Sequence, residues 1–193
     1  IYSLNRVLVT DPRNIRAFAW DEEGVGHTCE VPVLTRRSTF GQLAVILVNG
    51  SPTDAAVFVD YLDVPGRSWW LELLSAAFDG HGIPIITWGK DDNVIFEYFK
   101  RSPHANMQLI ASREIAKQLQ LPLRRSGLSL KTAYAWVTHT TAGVHYLYSK
   151  PDGTHQPHGC WRRGGELTSG KVTYAAADAF ATAHIFSQWH SQN

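Results

Sequence analysis

Lys171-Val-Thr-Tyr-Ala-Ala-Ala-Asp-Ala-Phe-Ala-Thr-Ala-His-Ile-Phe186 carries the pattern from which the rest of the chain can be read. Alanine is the strongest helix former, and Tyr174 and Asp178 stand one helical turn apart, so a phenol and a carboxylate project from one face. Val172, Ala176, Ala179, Ala183 and Phe186 fall where they can meet a core. Thr168 is placed to cap the helix, and the alanines let a neighbouring element approach closely. Alone, this is an amphipathic terminal helix with two polar groups at its wet edge. Whether those groups do chemistry depends on what the upstream sequence brings to them.

The whole chain, 193 residues, fits a single domain over 1–193 with a sizeable core. Its composition, 44% hydrophobic and 18% charged, is that of a globular protein, and no apolar run is long enough to span a bilayer. Two cysteines, Cys29 and Cys160, are too few for a disulfide scaffold and suit a reducing, intracellular compartment. The N-terminus, Ile-Tyr-Ser-Leu, shows no secretory pattern and no initiator Met, and reads as the start of a domain cut from something longer. A net charge of +1 makes no general electrostatic case for nucleic acid. Arg36-Arg37, Arg124-Arg125 and Arg162-Arg163 could still form a local basic surface if the fold gathers them.

Read in order, Asp11-Pro12 has the form of a helix start, and the spacing predicts a helix to about Glu23, stopped by Gly24. Val25 to Pro32 alternates and ends at proline, as a strand does. Gln42 to Val48, followed by the turn signal Asn49-Gly50, and Ala55 to Leu62 add two more strands. Helical spacing follows at Trp69 to Phe78, a brief buried strand at Pro84 to Thr87, and helices at Asn93 to Lys100, Met107 to Gln120 and Leu128 to Val137. His139 to Gly165 is a polar segment rich in Gly, Pro and His, with a short strand or hairpin arm at Val144 to Tyr148. Its His155, His158 and Cys160 lack the paired spacing of a zinc site. The order predicts an α/β fold, a mixed sheet flanked by helices.

Glu30 on the expected first strand, Asp91-Asp92 after the short strand, and Tyr174 with Asp178 are three acid-bearing spots that such a fold could bring together. With them in place, the chain resembles the DEDDy 3′-to-5′ exonucleases, especially RNase D and Werner-type domains, from about Val7 to Phe186. Members carry a strand of the form apolar-Gly-apolar-Asp-x-Glu-x-Pro, an Asp opening a helix, and a C-terminal Tyr-x-x-x-Asp. The last, here Tyr174-Ala-Ala-Ala-Asp178, is the most specific. The resemblance implies an RNase H-like fold and two divalent ions, Mg²⁺ or Mn²⁺, about 3.5 to 4 Å apart. By the same resemblance Glu30 binds metal near the attacking water, Asp92 holds the outer ion, Asp178 the inner one, and Tyr174 orients the water. Asp91 is the alternative to Asp92. Asp92 is preferred because Phe96, one turn on, then takes the apolar position the family places after its Asp.

In this register Thr28 stands where the family has the first Asp, which bridges both ions. A neutral hydroxyl leaves the repulsion between two cations less compensated, so metal binding should weaken. The expectation is an exonuclease-like domain that acts on or binds single-stranded nucleic acid, RNA before DNA, with impaired catalysis. The alternative is a catalytically dead pseudo-exonuclease serving as a protein-interaction or assembly scaffold within a larger chain or complex. A second register exists. Ala17-Phe-Ala-Trp-Asp-Glu-Glu-Gly24 contains Asp21-x-Glu23, which also has the form of the first motif and is similar to the polymerase-proofreading branch. It would leave the acid set intact, and it conflicts with the helix predicted from Asp11.

Overall fold

The computed structural model describes residues 12–24, 38–50, 56–59, 82–89, 96, 105–119, 128–138 and 169–191. They form a mixed five-stranded sheet with helices packed on it, an α/β arrangement. The strands are β1 (Ile15–Gly24), β2 (Ser38–Leu47), β3 (Ala56–Val59), β4 (Ile85–Thr87) and β5 (Ala105–Asn106). The described helices are α1 (Met107–Leu119), α2 (Leu130–Thr138) and α3 (Ser169–Ser191). Spatial order in the sheet is β3-β2-β1-β4-β5, which puts β1 at the centre. β2 runs antiparallel to β1 and to β3, whereas β4 runs parallel to β1 and to β5.

The central strand corrects the helix predicted from Asp11 to Glu23. Asp11-Pro12 is followed by a single 3-10 turn, Pro12–Asn14, and the chain then extends into β1. The physical reason lies in burial. Ala17, Phe18, Ala19 and Trp20 are all fully buried, which requires cover on both faces. A strand covered on both sides shows no polar alternation, so its period of two is hidden in the sequence. What remains visible is small alternating with large: Ala17 and Ala19 against Phe18 and Trp20. The cap-like Asp-Pro is a local signal, and sheet pairing outweighs it. The strand expected at Val25 to Pro32 lies outside the described residues, as do the helix at Trp69 to Phe78, most of Asn93 to Lys100, and the segment His139 to Gly165.

Other expectations hold. β2, β3, β4, α1, α2 and α3 stand where the sequence placed strands and helices, with ends shifted by a few residues. Gly50 after β2 has a φ of 86°, a conformation open chiefly to glycine, and its amide donates to Leu47 O at 2.8 Å. α1 is capped by Asn106, whose Oδ1 accepts from the amides of Gln108 (3.0 Å) and Leu109 (3.3 Å). α2 is capped by Ser129, whose Oγ accepts from the Thr132 amide at 3.2 Å. The two helices are joined at that point: Gln108 Nε2 donates to Leu128 O (3.0 Å), and the Leu128 amide donates to Ser112 Oγ (2.8 Å).

One core layer decides where any site can be. Ala17 and Ala19 of β1, Ala44 and Ile46 of β2, and Ile86 of β4 share a cluster with Ala179, Ala181, Ala183, Ile185 and Phe186 of α3. Alanines on both sides let the helix lie close against the sheet, where longer side chains would hold it away. Met107 and Ala111 of α1 and Ala133 and Tyr134 of α2 close the same layer. Ala19→Leu should therefore overpack this contact and cost about 1–3 kcal/mol. Thermal unfolding should fall by several degrees, at roughly 2–4 °C per kcal/mol for a chain of this size. Val48→Thr, at a position 58% exposed, should leave the midpoint nearly unchanged.

Candidate functional site

Successive side chains of a strand point to opposite faces, so Asp21 shares the face of Ala17 and Ala19, the face on which α3 packs. Asp21 is only 8% exposed. A carboxylate so placed needs hydrogen-bond donors. Its cross-strand neighbour is Gln42 of β2, itself fully buried. The terminal amide of Gln42 lies 2.9 Å from Asp21 Oδ2 and 2.9 Å from the backbone oxygen of Asp21. Both of those atoms accept, so the group facing them is the Gln42 NH₂.

Glu22 goes the other way. It shares the opposite face with Trp20, whose indole Nε1 donates to Glu22 Oε1 at 2.9 Å. Of three successive acids, Asp21, Glu22 and Glu23, the middle one is thereby tied to the far side of the sheet, while Asp21 and Glu23 fall on alternate positions with the period of one face. The side chain of Glu23 lies outside the described residues; its backbone pairs with Phe40 at the end of the ladder.

α3 carries the other two expected groups. Tyr174 and Asp178 are both half-buried and one turn apart on the helix. The Asp178 carbonyl accepts from Thr182 Oγ1 at 3.0 Å, and Ala179, the next residue, lies in the cluster with Ala17 and Ala19. Asp21 thus sits on a strand face and Asp178 on the helix that covers that face. Glu30, Thr28, Asp91 and Asp92 lie outside the described residues. Phe96, four positions after Asp92, is helical and buried. Among the described residues no three His, Cys, Asp or Glu side chains gather around one point. Nor is any described helix long and apolar enough to cross a membrane.

No protein-family model, curated protein or solved structure matches the chain.

Local spacing puts Asp21 on a helix, against the Asp21-x-Glu23 register, and assigns Gln42 no part in a site. A signal for Gln42 existed: it directly precedes the apolar run Leu43-Ala-Val-Ile-Leu47, and a polar side chain buried in a strand faces a polar partner or stays unsatisfied.

At the far end of α3, His184 packs between Tyr134 and Phe180, with ring centroids 5.5 Å away in an edge-on contact and 6.0 Å away in a tilted one. Burial lowers its pKa below the ordinary 6.5, and it raises that of Tyr134. A histidine whose folded-state pKa is depressed contributes stability that is present above its unfolded pKa and lost as pH falls through the folded value. The protein should therefore lose stability as pH drops below about 6.5. His184→Phe should flatten that part of the profile when thermal midpoints are compared between pH about 7.5 and 5.

Proposed function

We propose that the chain is a 3′-to-5′ exonuclease domain of the DEDDy type, with an RNase H-like fold, that shortens single-stranded RNA or DNA from the end, and that Asp21 and Glu23 are its first-motif acids. The observation that carries this reading is β1 itself. Phe18-Ala-Trp-Asp-Glu-Glu23 is a central strand of the form apolar-small-apolar-Asp-x-Glu, the first-motif pattern with Ala19 in place of its Gly and Val25 in place of its closing Pro, and with Asp21 on the face that α3 covers. The objection to this register was the helix predicted through Asp21, and the chain there is extended.

The acid set is then Asp21, Glu23, Asp92 and Asp178, with Tyr174 beside Asp178. Thr28 ceases to be a missing aspartate, and Glu30 leaves the set. The scaffold reading rested on that missing acid, and it loses its footing in this register.

These groups fit a divalent metal by their chemistry. They are hard oxygen donors, the kind that Mg²⁺ and Mn²⁺ prefer over nitrogen or sulfur. Asp21 is held by a neutral amide, which leaves its negative charge uncompensated by that partner. Metal held by Asp21, Glu23, Asp92 and Asp178 would polarise the phosphoryl group and lower the pKa of a bound water. The protein's own part is positional. Asp21 comes from a rigid central strand and Asp178 from a helix packed on it, so thermal motion of either relative to the other is restrained by the core between them. The Tyr174 hydroxyl, a donor and an acceptor, can orient a water near Asp178.

The test is shortening of end-labelled single-stranded RNA and DNA with Mg²⁺ or Mn²⁺ present. Asp21→Asn and Asp178→Ala should each cut the rate by more than about 100-fold, since loss of even an outer-shell partner costs about 10- to 100-fold. Glu30→Gln and Thr28→Asp should leave it unchanged. Activity that survives Asp21→Asn and vanishes in Glu30→Gln would overturn the register, and a wild-type protein with no metal-dependent shortening would overturn the function.

A further inference from the structure

We propose that Gln42 is a positioning residue for Asp21, fixing one carboxylate oxygen through a neutral donor so that the acid meets a divalent cation in one orientation. The inference rests on the exonuclease reading above and deepens it.

Three observations converge on Gln42. It is the register partner of Asp21 across the β1–β2 ladder, so the pair is set by backbone hydrogen bonding and not by side-chain chance. It is fully buried, where a lone amide costs about 1–3 kcal/mol unless it finds partners. Its NH₂ finds both of its acceptors on one residue, Asp21 Oδ2 and Asp21 O, each at 2.9 Å. Two contacts to the same residue, one at the carboxylate and one at the backbone, restrain the Asp21 side-chain torsions relative to its own strand. That is more than a single bond to the carboxylate would do.

The choice of an amide has a chemical consequence. A lysine or arginine opposite Asp21 would also satisfy the buried carboxylate, but it would neutralise the charge and compete with a metal cation for it. An aspartate or glutamate would repel it. Glutamine is uncharged, donates two hydrogens, and reaches across the ladder. It therefore solves two problems together: Asp21 is kept in place without losing the charge that a metal site uses. Outer partners of metal ligands act in this way, and removing one typically costs about 10- to 100-fold in metal affinity or activity.

Gln42→Met keeps nearly the same length and volume while deleting both donors, so the sheet should still form. Its Mn²⁺ affinity, read by calorimetry on the folded protein, should fall about 10- to 100-fold. Its exonuclease rate at limiting Mn²⁺ should fall likewise and recover when Mn²⁺ is raised, a rescue that a generally loosened fold would not show. Independently of metal, the Gln42 side-chain ¹⁵N–¹H₂ resonances of the wild type should exchange slowly with solvent, and Asp21→Ala should shift them and speed the exchange. Unchanged Mn²⁺ affinity in Gln42→Met, or Gln42 amide signals indifferent to Asp21→Ala, would overturn the proposal. A wild-type protein that takes up no Mn²⁺ would sink the nuclease reading and with it any metal role for Gln42, while the amide signals still report whether Gln42 holds Asp21. Should Gln42→Met not fold, Gln42→Asn, one methylene too short to keep both contacts, is read by the same measurements.

Discussion

Everything near the candidate site depends on how closely α3 can lie on the sheet. Ala17 and Ala19 on β1, Ala44 on β2, and Ala179, Ala181 and Ala183 on α3 share one buried layer, with Ile46, Ile86, Ile185 and Phe186 filling the space around them. A methyl group on each side is a thin spacer. Such a seam lets the helix and strand backbones approach more closely than a leucine-lined interface would allow. Asp21 follows Ala19 by two residues on its strand face, and Asp178 precedes Ala179 on its helix. The small-residue seam is thus the core shared by the strand that carries Asp21 and the helix that carries Asp178.

A buried acid at the end of a central strand is costly unless its partners are chosen for it. Here the partners differ by face. Trp20 draws Glu22 to one side, and Gln42 meets Asp21 on the other. Strand alternation separates the two acids without any loop or bend. β1 thus sorts two consecutive carboxylates, Glu22 tied to Trp20 on one face and Asp21 held by Gln42 on the other. Such sorting lets Asp21 and Glu22 stand side by side in a central strand without facing each other.

Much of the fold was legible because its signals were local. The Asn49-Gly50 turn, the β-rich run Ala56-Val-Phe-Val59 and the helical spacing of α1, α2 and α3 each follow from a few neighbouring residues. β1 was not legible, and the reason is physical. Its identity comes from pairing with β2 on one edge and β4 on the other, contacts with residues distant in the sequence, and its burial on both faces erased the alternation that marks a strand. Asp11-Pro12, a good helix start by its chemistry, supports just one 3-10 turn because the next residues are worth more in the sheet. The helix expected from Asp11 is what set the Asp21 register against the one that uses Thr28 and Glu30. Tyr174 and Asp178 were legible for the opposite reason: helix period alone puts them on one face.

The central claim is that a divalent ion is held at the end of β1, by Asp21. The most direct measurement is an anomalous difference map from crystals grown with Mn²⁺. The account predicts a manganese peak about 2.1 Å from a carboxylate oxygen of Asp21, with α3 contributing Asp178 to the same ion or its neighbour. A peak bound to Glu30 and absent from Asp21, or no peak at all at saturating Mn²⁺, would contradict it.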